Sequence, residues 1–243
     1  MSGRDWVELD DRRVGLLGGT FDPVHYGHLV IAEQVREALG LDRVLFVPAR
    51  IPPHKPDAEL APAEDRAAMV DLAIAGNPAF AICRIELERE GPSYTADTVG
   101  QLVDEATRRG VSREFYFILS SEALAGLQTW HDPLRLLALC RLAVVPRPGA
   151  PLPDQAWLKS HLPAGAATGA GAATRTGDGA GTGMEAAVDR VVCVQTVALA
   201  HSASDVRRRA AAGHSIRYLV PPAVEAYIRE HRLYRSDNPR RTA

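Results

Sequence analysis

An α/β fold, a Rossmann-like doubly wound parallel sheet, is what this sequence predicts. Three observations carry the expectation. Short apolar runs recur along the chain, three of them closed by glycine or proline. Stretches with helical spacing separate them. The first run ends in a Gly-Gly turn that leads straight into a helix. Strand, helix, strand at this spacing is a βαβ unit, which implies parallel pairing and a right-handed crossover.

Residues 14–17 form the first run, stopped by Gly18 and Gly19. That stop favours a buried strand over a helix. A helical stretch follows over 28–39, with Ile31, Val35, Ala38 and Leu39 on one face and Gly40 as its stop. Residues 44–47, closed by Pro48, read as a second buried strand. The alternation continues: 64–75 helical, 80–85 extended, 95–109 helical, 115–119 extended, 133–139 helical and 142–145 extended. This order argues for a doubly wound domain. It then breaks at a proline-rich stretch, 146–153, and at 163–183, which is almost wholly Gly, Ala and Thr. Such a segment cannot bury enough apolar surface to offset its ordering entropy. Residues 191–197 read as a last strand, 204–212 as a helix and 221–231 as a final helix, with Pro222 suited to its first turn. The expected layout is a polar extension over 1–12, one domain over 13–235 with a flexible low-complexity insertion at about 150–188, and a tail over 236–243.

Composition narrows the function. Hydrophobic residues make up 46% and charged residues 24%, the range of an ordinary soluble globular protein. The formal net charge of −2 gives no general basic field, so nucleic acid is not an expected partner. An anionic substrate would need a local basic site. Cys83, Cys140 and Cys193 lie far apart without a C-x-x-C, so neither a disulfide framework nor a zinc site is implied. Three structural thiols in a reducing cytoplasm is the reading. The polar, acidic start carries no apolar signal core, and no run approaches a membrane span. The expectation is a cytoplasmic protein with no membrane partner. A homo-oligomer is left open.

The informative segment runs Gly18-Gly19-Thr20-Phe21-Asp22-Pro23-Val24-His25-Tyr26-Gly27-His28. It follows the first strand and enters the first helix, where ligands of open α/β sheets bind. Two glycines let backbone N–H groups approach a phosphate, and the helix N-terminus adds positive potential. Its glycine spacing is neither that of a Walker A loop nor that of a dinucleotide fingerprint. His25 and His28 share one helix face, and Gly27 lets a ligand or chain pass close by. Two imidazoles aimed at a phosphate can stabilise the charge that builds during phosphoryl transfer. The plainer alternative makes one histidine a helix cap and the other a core residue.

This motif resembles the signature of the HxGH nucleotidylyltransferase superfamily and, within it, that of bacterial nicotinate-nucleotide adenylyltransferases. The resemblance continues along the chain, roughly from Arg13 to Tyr234. It implies a nucleotidylyltransferase-type fold. It also implies transfer of AMP from ATP onto nicotinate mononucleotide, giving deamido-NAD and pyrophosphate, with Mg²⁺ accompanying ATP. By the same resemblance, His25, His28, Lys55 and Arg207 would be catalytic. Gly18, Gly19, Thr20, Phe21, Glu122, Ser202 and Ser204 would bind ATP. His54, Thr95, Trp130 and Arg147 would bind the mononucleotide. Outside the first motif and Glu122, these residues sit in Pro52-Pro53-His54-Lys55, Ser93-Tyr94-Thr95-Ala96-Asp97-Thr98, Leu127-Gln128-Thr129-Trp130, Arg147-Pro148-Gly149 and Ser202-Ala203-Ser204-Asp205-Val206-Arg207. Ser93 or Thr95 would also serve as a plain N-cap.

The chain departs from the family in places. Ser120-Ser121-Glu122 stands where the family has Gly-Ala-Asp, which matters if the first position needs a positive φ or close ligand approach. Ala150 replaces a tyrosine and His201 an isoleucine. Two alternatives follow: a related enzyme with another phosphate acceptor, or a nucleotide-binding paralogue with weakened catalysis.

Overall fold

The computed structural model describes residues 11–51, 60–147, 149–163, 187–197, 199–200 and 202–235. Along the chain, β1 (Arg13–Gly19) leads into α1 (Tyr26–Leu39), β2 (Arg43–Pro48), α2 (Ala63–Ile74) and β3 (Phe80–Ile82). Next come α3 (Thr95–Arg108), β4 (Glu114–Ser120), α4 (Ser121–Ala125), a 3-10 turn at Leu127–Thr129, α5 (Pro133–Leu139) and β5 (Arg141–Val145). The chain closes with α6 (Gln155–His161), β6 (Val191–Cys193), α7 (Ala203–Ala211) and α8 (Pro222–Glu230).

The strands form one sheet in the order β3-β2-β1-β4-β5-β6, with every neighbouring pair parallel. Each central strand feeds both faces, which is why its sequence reads as an unbroken apolar run. Val14, Leu16, Leu45, Phe115, Leu119, Leu142 and Val144 face one core, closed by α3, α5 and α6. Leu17, Val44, Phe46, Tyr116, Ile118, Ala143 and Val145 face the other, closed by α1, α2 and α8. The strand order reverses between β1 and β4. A crevice at their carboxyl ends is the expected ligand site.

Several expectations are corrected. In α1 the buried positions are Gly27, Ala32 and Val35, and Ala38 faces solvent. The extended stretches expected at 80–85 and 191–197 shorten to three-residue strands at the two sheet edges. Two helices were not anticipated. Helix α4 has five residues, too few to show a period. Helix α6 lies inside the span 150–188 read as low-complexity. The Asp154 carboxylate caps it by accepting from Trp157 N at 2.7 Å, and Leu158 and Leu162 enter the core. The Gly/Ala/Thr stretch over 164–186 and the tail over 236–243 lie outside the described residues, as do residues 1–10. Among the described residues no helix is long and apolar enough to cross a membrane.

Candidate active site

Strand β1 delivers Gly18 and Gly19 to the crevice floor. Phe21 then takes a left-handed conformation (φ 50°) and buries its ring. The ring folds back beneath the turn: a Cβ at Gly19 would lie 3.2 Å from it. Its other neighbours are Phe46 and the edge of His28, at 5.8 and 5.0 Å between centroids. A side chain at Gly19 would have to push this ring aside.

His25 and His28 cap α1 reciprocally. His28 Nδ1 accepts from the His25 backbone N–H at 3.2 Å, and the two rings stack 3.8 Å apart. Because Nδ1 is the acceptor, neutral His28 carries its proton on Nε2, held in one orientation by the cap. The plainer reading, one cap and one core residue, is corrected: both histidines take part in the cap and both line the crevice. The reading of Gly27 changes. What passes close to it is the His25 ring, 2.9 Å from where a Cβ would stand.

The C-terminal motif folds back beside this turn. Arg207 Nη1 donates to the Asp22 carbonyl at 2.7 Å, and Nη2 donates to Ser204 Oγ at 3.2 Å. Ser202 caps α7 by accepting from Asp205 N at 3.2 Å. Asp22, 1% exposed, accepts from Tyr234 Oη at 2.8 Å and lies 3.8 Å from the Arg207 guanidinium. Burial raises the Asp22 carboxyl above the ordinary aspartate value, while Tyr234, Arg207 and Arg66 pull it back. Burial and the neighbouring Asp22 push the Tyr234 phenol well above its usual value.

Arg66, on α2, is 1% exposed. Its guanidinium donates to four carbonyls: Thr20 at 2.7 Å, Ala49 at 2.6 Å, Arg50 at 3.0 Å and Ala61 at 3.0 Å. One side chain thus ties the turn after β1 to both ends of the segment between β2 and α2.

Tyr234→Phe isolates one of these contacts. Among the described residues, Asp22 Oδ1 then keeps only a long 3.4 Å bond from Ala61 N. The expected loss of unfolding free energy is about 1–3 kcal/mol near neutral pH. The lost bond serves the ionised carboxylate, and the folded Asp22 pKa lies above 3.8. The loss is therefore full above that folded value and shrinks as pH falls through it. Urea unfolding of both proteins across this range checks the sign, and a loss that grows on acidification contradicts it.

Two cavities meet at the crevice. The larger, about 620 Å³, is lined by the turn, both histidines, Ser120, Arg147, Ser202, Ser204 and Arg207. The smaller, about 420 Å³, is lined by Gly19, Glu86, Ser93, Tyr94, Thr95, Thr98 and His131, among others. Gly18, Thr20, Phe117 and Trp130 belong to both, so the two sites share a wall. Trp130 stands half-buried there, edge-on to Phe117 at 6.0 Å.

A family model described as cytidylyltransferase-like matches residues 16–209. A probable nicotinate-nucleotide adenylyltransferase of Thermomicrobium roseum is 41% identical over 224 residues, 92% of each chain. One from Pelobacter propionicus is 44% identical over 222 residues, 91% of this chain and 98% of its own. The chain belongs to the nicotinate-nucleotide adenylyltransferase family. The fold matches too. A Plasmodium falciparum nicotinic acid mononucleotide adenylyltransferase solved with NaAD superposes with a TM-score of 0.64 at 16% identity, covering 92% of this chain and 97% of that one.

Set among adenylyltransferases of this family, the departures become readable. Ser120 has φ −77° and caps α4 by accepting from Ala123 N, so no positive φ is required there. Glu122, expected from the resemblance to bind ATP, accepts from Arg147 at 2.5 Å and is not among the residues lining either cavity. Both partners are exposed. Gly149 (φ 83°) turns the chain so that Arg147 and Ala150 exchange backbone hydrogen bonds. Neither Ser93 nor Thr95 caps α3. Its N-cap is Tyr94, without a side-chain bond. His54, Lys55 and His201 lie outside the described residues. Sequence reasoning gave no role to Asp22, though it stands inside the motif, nor to Arg66, Glu86 or Tyr234.

Proposed function

We propose that this chain transfers the adenylyl group of ATP to nicotinate mononucleotide, releasing pyrophosphate and forming deamido-NAD for NAD biosynthesis. The observation that carries this reading is the shared wall. A phosphate-type cavity with paired histidines and Arg207 adjoins an aromatic cavity, and among the described residues Gly18, Thr20, Phe117 and Trp130 line both. Adenylyl transfer needs two nucleotides held end to end, with the phosphate of one against the α-phosphorus of the other.

ATP fits the larger cavity, its phosphates over the 18–21 turn and the start of α1. His28 Nε2–H and the Arg207 guanidinium supply donors where charge gathers on the bridging oxygen as pyrophosphate leaves. Ser202 and Ser204 line the same cavity. The pyridine ring fits the smaller cavity against Trp130 and beside Thr95. Arg147 lines the larger cavity, which suits a mononucleotide phosphate arriving to attack. That phosphate is already ionised at neutral pH, so no general base is needed. From the family resemblance, Lys55 would neutralise the triphosphate and His54 would lie nearby. Among the described residues no group of three or more His, Cys, Asp or Glu could hold a metal ion. The divalent ion, which we take to be Mg²⁺, therefore enters as part of the ATP substrate, chelated by its phosphates. We place the reaction in the cytoplasm, in keeping with three free cysteines.

Pyrophosphate release is the test, measured with ATP and Mg²⁺ and with either nicotinate or nicotinamide mononucleotide. Fast release with nicotinate mononucleotide and little with the amide is expected. Silence with both overturns the proposal.

A further inference from the structure

We infer that Glu86 is the countercharge by which the smaller cavity selects a positively charged pyridinium ring over a neutral one. The inference rests on the reading above and adds a specificity residue to it. In a pyridine mononucleotide the ring nitrogen is bonded to ribose, so the ring carries a permanent positive charge. Moving that charge out of water is costly unless the cavity answers it.

The walls supply two answers. Trp130, Phe117 and Tyr94 offer aromatic faces or edges, the first kind of partner for a flat cation. Glu86 is the second. It is the one carboxylic acid among the described residues lining this cavity, and no lysine or arginine joins it there. It is buried, at 9% exposure. Its Oε1 accepts from Thr98 Oγ1 at 2.7 Å, which fixes the carboxyl against α3. Arg89 reaches Thr98 at 3.1 Å and Gln101, not the Glu86 carboxylate itself. Among the described residues no ion pair neutralises Glu86 within 4.0 Å. Burial alone pushes its carboxyl up, with Thr98 and Arg89 opposing. A cation entering the cavity would relieve that cost.

A separate feature marks this wall as built for a ligand. Ser93 Oγ is buried, lines the cavity and has no hydrogen-bond partner among the described residues. A hydroxyl left in this state costs free energy that a bound polar group would recover.

The test compares nicotinate mononucleotide with its 1,4-dihydro form, which keeps every substituent but has a neutral ring. Dissociation constants come from calorimetry without ATP, so the readout does not depend on turnover. Wild type is expected to favour the charged ring by about tenfold or more. In Glu86→Gln the preference should fall to about twofold, with KM for ATP unchanged. Equal affinities in wild type overturn the inference. So does an undiminished preference in Glu86→Gln, which would leave Glu86 as a strut for Thr98. If that variant fails to fold, Glu86→Met with Thr98→Val removes both hydrogen-bond partners together and is judged by the same ratio. Failure here is distinct from failure of the proposed function, because wild-type pyrophosphate release reads the latter alone.

Discussion

His28→Ala is expected to lower kcat by about 10²–10³ while the protein stays folded. The argument begins with the cap. His28 Nδ1 accepts from the His25 backbone N–H, so the proton sits on Nε2 and the ring is held in one orientation. The ring is fixed from two sides, by the His25 ring stacked at 3.8 Å and by the Phe21 edge at 5.0 Å. A donor held this way needs no reorganisation when charge builds on the leaving oxygen. A contact that strengthens only in the transition state lowers kcat and kcat/KM together. The loss of the cap costs about 0.5–2 kcal/mol of stability, which a melting curve separates from the kinetic effect. Turnover close to wild type would refute the assignment.

The sheet was legible because its information is local. Residues 14–17, 44–47, 115–119 and 142–145 are apolar on both faces and bounded by turns, which is what a strand between two helical layers requires. The last edge strand was overextended because β-branched residues, Val194, Thr196 and Val197, continue after the paired register ends at Cys193. Helix α6 was hidden by its setting: seven residues between a proline-rich stretch and a Gly/Ala/Thr run give no period to read. The site was legible where a motif is contiguous. His25, His28, Ser204 and Arg207 meet at one cavity as expected. It was illegible where meaning depends on distant partners. Gly27 spares the neighbouring His25 ring. Glu122 turned to Arg147, and nothing in its own sequence neighbourhood announces that pairing. Arg66 is the extreme case. An arginine on an amphipathic helix reads as solvated, since this residue type is almost never fully buried unless paired.

Arg66 also carries the largest stability effect expected. Its partners are four carbonyls, not a carboxylate. Arg66→Met is close to the same volume but withdraws every donor. Buried carbonyls without partners cost about 1–3 kcal/mol each, and partial rearrangement brings the expected total to about 3–5 kcal/mol. Arg66→Lys separates charge from geometry. Lysine keeps the cation, yet its three donors radiate from one nitrogen and cannot span carbonyls placed for a planar fork. It should therefore recover less than half of the loss, read as urea midpoints at constant slope. The consequence reaches the site, because the Thr20 carbonyl belongs to the phosphate turn and Arg66 helps hold down the Asp22 pKa. In the lysine variant KM for ATP should rise. A lysine variant as stable and as active as wild type would mean that charge alone is what this position supplies.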